Sequence, residues 1–78
     1  KYSYDELYDK IQKAYGTLLT KKEMMVAVHF LRDKSRKEIA QKLGVSDETI
    51  KSHLSNIYKK LGCSSKNDFK NSVAKTLK

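Results

Sequence analysis

The chain has 78 residues, 9.0 kDa, with 17 Lys and Arg against 9 Asp and Glu, a net charge of +8. That is one small domain, because a doubly wound α/β enzyme or a closed barrel needs several times more chain. The charge is uneven: residues 1–30 balance at +1 and residues 31–78 at +7, which fits either a surface built to meet a polyanion or a solvated lysine face that serves solubility only.

The first expected helix opens at Ser3 with Glu6 three residues on, the spacing of a capping box. Its apolar stripe, Tyr4, Leu7, Tyr8, Ile11 and Tyr15, recurs at three and four, and Gly16 stands where a C-terminal cap belongs. A second helix opens at Thr20 with Glu23 and runs to about residue 31. Met24, Met25, Val26, Ala27, Val28 and Phe30 make it apolar all round, so it needs cover on two sides. The first helix is expected to supply part of that cover, through Tyr4, Leu7, Tyr8 and Ile11.

A short third helix opens at Ser35 with Glu38, carries Ile39, Ala40 and Leu43, and stops at Gly44. The fourth starts at Ser46, with Asp47 and Glu48 complementing the macrodipole, and ends at Gly62. The fifth opens at Ser65 with Asp68 as its expected capping partner and continues through Phe69, Val73, Ala74 and Leu77. The fold class is therefore all-α: a small helical bundle.

Residues 35–61 have the layout of a helix-turn-helix, with Gly44 placed to supply a positive φ and Val45 to tuck between the helices. On the fourth helix Ile50, Leu54, Ile57 and Leu61 form the stripe to be buried. Opposite lie Glu48, Lys51, Ser52, Ser55 and Lys59. Small hydroxyl residues let a helix backbone approach base edges, and Lys reaches guanine or phosphate. Thr49, His53, Asn56 and Lys60 flank the stripe, where phosphates are expected.

Three blocks then resemble a known family: Leu19-Thr20-Lys21-Lys22-Glu23, Ser35-Arg36-Lys37-Glu38-Ile39-Ala40, and the run from Val45 through Thr49-Ile50-Lys51-Ser52-His53-Leu54 to Gly62. Their order and spacing are similar to those of the LuxR-type (GerE-type) helix-turn-helix domain over residues 18–77. The resemblance implies a bacterial transcription regulator that binds double-stranded DNA, often the output half of a response regulator or of a small-molecule sensor. It implies base contacts at Lys51, Ser52 and Ser55, and backbone contacts at Lys37, Thr49, His53 and Lys59. It also implies a last helix that dimerises through Phe69, Val73 and Leu77, hence a homodimer on DNA, with RNA polymerase and an upstream receiver or sensor domain as further partners. Residues 1–16 then form an extension and residues 17–78 the DNA-binding domain. The chain departs from the family at several positions: Lys21-Lys22 for Pro-Arg, Met25 for Glu, Ala27 and His29 for Leu, Asp33 for Gly, Lys66 for Arg, and Ser55 for a residue that is often basic.

Other classes find little footing. Two histidines and one distant cysteine show no metal-ligand spacing, so neither metal nor cofactor is expected, and no convergent polar set suggests catalysis. The longest apolar run, residues 24–28, is far too short to span a bilayer, and nothing resembles a secretory leader. A lone Cys63 cannot form an internal disulfide, which favours a cytoplasmic setting; it reads as a small buried hydrophobe. The start at Lys1 rather than Met suggests a piece of a longer protein. The alternatives are a helical protein-interaction module, or a sigma-like domain that reads DNA only on RNA polymerase.

Overall fold

The computed structural model describes residues 2–76 and has five α-helices and no strand among them. They are α1 (Tyr4–Tyr15), α2 (Lys21–Leu31), α3 (Arg36–Leu43), α4 (Asp47–Leu61) and α5 (Lys66–Thr76). The chain is thus the all-α bundle its periodicity predicts, with one helix ahead of the helix-turn-helix.

Local chemistry sets the helix starts. Ser3, Thr20 and Ser35 each accept the N–H of a Glu three residues on, at 3.2–3.3 Å, while that Glu's Oε1 accepts the N–H of the cap, at 2.8–3.1 Å. These reciprocal bonds satisfy donors that a helix start otherwise leaves open. Ser46 caps α4 through the Thr49 N–H at 3.2 Å. At α5 the Ser65 hydroxyl accepts the Asp68 N–H at 3.2 Å, but the Asp68 carboxylate turns to Ser64, accepting its N–H and its hydroxyl. The expected capping pair is half made there.

α3 and α4 end in the same way. Gly44 and Gly62 adopt φ of 68° and 69°, and the next residue's N–H reaches back to a carbonyl five positions earlier: Val45 to Ala40 at 3.0 Å, Cys63 to Tyr58 at 2.8 Å. Such ends place an apolar side chain just beyond the glycine against the helix it closes. Both Val45 and Cys63 are half-buried against the core, which gives Cys63 a packing role. Gly16 differs, since its φ is −60°; a Cβ at this position would press on the Gln12 carbonyl oxygen.

α2 is the central element and packs against α1, α3 and α4. Val26, Ala27 and Val28 are wholly buried, as are Ile39, Ile50, Ile57 and Phe69 from the surrounding helices. Leu7, Ile11 and Tyr15 belong to the same core, each contributing roughly 1.5–3 kcal/mol by burial, the tyrosine by its ring. Tyr4 and Tyr8 stay half-buried at its edge, as does Met25, so the expected cover of α2 is partial there. The Tyr15 hydroxyl donates to Thr76 Oγ1 at 2.9 Å, tying the end of α1 to the end of α5. Leu7 and Val73 line one cleft with Leu31, Asp33 and Lys70, so α1 lies beside both α2 and α5.

Glu23 is the one buried charge among the described residues, at 4% exposure. Burial alone would raise its pKa, but the Lys60 ammonium at 2.7 Å and the Thr20 N–H and hydroxyl hold it below the ordinary carboxylate value. Lys60 is therefore committed to α2 rather than placed for phosphate, which corrects the sequence expectation.

Candidate nucleic-acid interface

α3, the turn at Gly44 and α4 form the helix-turn-helix. Ile50, Leu54 and Ile57 are buried and Leu61 half-buried, so the apolar stripe fixes the rotation of α4 about its axis. The 3.6-residue period then turns Glu48, Lys51, Ser52, Ser55 and Lys59 outward, and all five are exposed. Lys51, Ser52 and Ser55, the expected base readers, thus share one open face with Lys59. Lys37 is exposed in the first turn of α3. Thr49 and His53 are half-buried at the edges of the α4 stripe. The Thr49 hydroxyl lies 2.9 Å from that of Ser46, which orients it at the start of α4.

On one side this face continues into a groove. Lys51, Ser55 and Tyr58 of α4 line it together with Lys34, Arg36 and Lys66. Lys34 precedes α3, Arg36 is the first residue of α3, and Lys66 is the first of α5. The Lys66 ammonium stands 4.8 Å from the centre of the Phe30 ring, a cation–π distance that holds a long side chain in place. Sequence reasoning gave Lys34, Arg36 and Lys66 no role. The readable signal was the cluster of basic residues around Ser35; the convergence of α5 on it was not readable.

Two of the three residues expected at a dimer surface lie in the protomer's core. Phe69 is wholly buried and Val73 is 2% exposed. Phe69 packs between the rings of Phe30 at 6.0 Å and Tyr58 at 5.9 Å, so both residues serve the protomer's own core and offer no side-chain surface to a second copy. α1, whose Leu7 shares a cleft with Val73, adds to that burial. Leu77 lies outside the described residues. Among those residues no group of three metal-ligating side chains comes together, and no helix is long and apolar enough to cross a membrane.

A profile of bacterial regulatory proteins of the luxR family matches residues 17–71. The chain belongs to that family. The luxR-family match takes in α2, α3, α4 and the first half of α5, and leaves α1 outside. The family is one of regulatory proteins and not an enzyme class. The chain is 47% identical over 45 residues to the spore germination protein GerE of Bacillus subtilis (strain 168), which is 58% of this chain and 61% of that protein. It is 44% identical over 52 residues to the transcriptional regulatory protein YdfI of the same organism, 67% of this chain and 24% of that one. It is also 44% identical over 46 residues to the fimbriae Z protein of Escherichia coli (strain K12), 59% of this chain and 22% of that one. The chain therefore spans less than two thirds of GerE and about a quarter or less of the other two. No solved structure matches significantly.

Proposed function

We propose that this chain is the DNA-binding domain of a bacterial transcription regulator and reads duplex DNA by sequence, with α4 in the major groove. The observation that carries this reading is the outward face of α4: Lys51, Ser52, Ser55 and Lys59, with Glu48 at its start, are all exposed, opposite an apolar stripe whose Ile50, Leu54 and Ile57 are buried. A helix with its side chains is about 10–12 Å across and the major groove about 12 Å wide, so α4 fits the groove with that face toward the base edges. In this reading Lys51, Ser52 and Ser55 contact bases. Lys37, Thr49, His53 and Lys59 contact the backbone and set the register. Likeness to a transcriptional regulatory protein supports the regulatory role.

Residues 1–16 act as a stabilising extension of the domain in residues 17–78. Related helix-turn-helix domains pair on two half-sites, and a homodimer on DNA is proposed here too, through surfaces other than Phe69 and Val73. An upstream receiver or sensor domain, contact with RNA polymerase and a cytoplasmic setting complete the proposal. Selection of bound sequences from a random duplex pool, repeated across a salt series, tests the central part. Enrichment of one motif, with affinity falling steeply as salt rises, is the expected result. A pool that never enriches would leave the helical protein-interaction module as the better account.

A further inference from the structure

The groove beside α4 is not explained by reading bases alone. Of the cations in the structure, Lys13, Lys60 and Lys70 are paired with carboxylates. Lys34, Arg36, Lys51 and Lys66 line the groove with no ion pair among the described residues, and no acidic side chain lines it with them. Leu54 is buried and Tyr58 half-buried along the same groove, which lowers the local polarity and strengthens attraction for an anion. Lys34 also feels the Glu38 carboxylate of α3, but none of the four cations is held in an ion pair, so the groove offers a positive potential that an anion would neutralise.

We infer that this groove seats backbone phosphates of the same duplex, held by Arg36 from α3 and Lys66 from α5, with Lys34 beside them. The inference rests on the DNA-binding reading and extends it to α5. Its geometric basis is that α4 nearly fills the width of a major groove, so the flanks of α4 meet the two phosphate strands. The cationic groove lies on such a flank, since Lys51 and Ser55 belong both to it and to the outward face. The chemistry suits the partner. The Arg36 guanidinium presents a fork that matches two phosphate oxygens, and Lys66 supplies a point charge already positioned over Phe30. α5 then does more than complete the core, because its first residue clamps the strand that α4 reads beside.

The test uses the full chain on its selected duplex and on a scrambled one. Arg36→Gln and Lys66→Gln should each flatten the slope of log K against log[salt] by about 0.9. Between 50 and 200 mM salt, each should shrink the loss of affinity about 3–4-fold. The double variant should show both effects, with the preference for selected over scrambled DNA unchanged. Lys75→Gln, on the last turn of the same helix, should leave the slope alone. A readout on the unmutated protein guards against a folding defect: acetylation of Lys34 and Lys66 by acetic anhydride should slow when the duplex is bound, while that of Lys75 should not. An unchanged slope in the folded double variant, or Lys66 equally reactive with and without DNA, overturns the inference and leaves the base-reading proposal standing. Protection of Lys66 by an acidic peptide but not by duplex would assign the groove to protein instead. If the unmutated chain binds no duplex at low salt, the DNA-binding reading falls and takes this inference with it.

Discussion

His29 turns its Nδ1 into the protein with no hydrogen-bond partner, against the Tyr4 ring at a centroid distance of 4.7 Å. Burial lowers its pKa below the usual 6.5, and the Lys42, Arg32 and Lys34 cations lower it further. The unfolded chain therefore takes up this proton more readily than the folded one. Stability is full above about pH 6.5 and declines as the pH falls through the lowered value. His29→Leu should remove that decline between about pH 7 and 5.5, and removing an unsatisfied buried nitrogen should add about 1 kcal/mol, or roughly 4–8 °C in Tm. Thermal melts at the two pH values check this; a wild-type Tm that is flat over the range would contradict it. Asp33 is the second residue in an unfavourable setting, with φ of 63° and its carboxylate 2.6 Å from the Lys70 ammonium. That conformation costs a side chain about 1–2 kcal/mol, and the exposed ion pair returns at most about 1 kcal/mol. Asp33→Gly should thus be neutral or slightly stabilising, whereas Asp33→Ala should destabilise by about 1 kcal/mol. Equal melting temperatures for the two variants would show that the backbone carries no strain there.

At the scale of elements, the helices of this chain were legible because their starts and stops are local. Ser3 with Glu6, Thr20 with Glu23 and Ser35 with Glu38 lie within one turn of each other, and so do Gly44 and the carbonyls its turn satisfies. The same holds for the outward face of α4, which follows from the period of Ile50, Leu54 and Ile57. Pairings across the fold were not legible. Lys60 reads as one more exposed lysine until α4 is laid on α2 and its ammonium meets Glu23, 37 residues away. Phe69 and Val73 read as an apolar strip free for a partner until α1, α2 and α4 enclose them, and nothing in the sequence brings Lys66 to Arg36. The Glu23–Lys60 bond joins α2 to α4, so Lys60→Met should strand a buried carboxylate. Because Lys60 is partly exposed, the expected loss sits near the low end of the range, about 2 kcal/mol. That loss should fade under acid conditions, where Glu23 is protonated in either variant, and denaturant titrations at neutral and acid pH measure it. Deleting residues 1–15 removes Leu7, Ile11 and Tyr15 from the core and should lower the Tm by well over 10 °C. An unchanged melting curve would mean that α1 does not stabilise the domain.

For the whole molecule, the uneven charge, the helix-turn-helix and the luxR-family match all support the proposed DNA-binding reading. With Phe69 and Val73 committed to the protomer's interior, the free chain should sediment as a monomer at micromolar concentration and pair on DNA. A tight dimer without DNA would place the self-contact on a surface still to be found. The central claim is that α4 reads bases while its surroundings hold phosphates, and two substitutions separate these roles. Lys51→Ala should cost about 1–3 kcal/mol on the selected site and relax the preference at the base pair it contacts. Lys37→Ala should weaken binding about equally on selected and scrambled duplexes and flatten the salt slope by about one. A lysine surface that merely attracts DNA gives the same modest, sequence-blind loss from both. The most direct measurement is therefore the affinity of the unmutated chain and these two variants for selected and scrambled duplexes at two salt concentrations. The account predicts loss of discrimination for Lys51→Ala alone; discrimination retained in Lys51→Ala would contradict it.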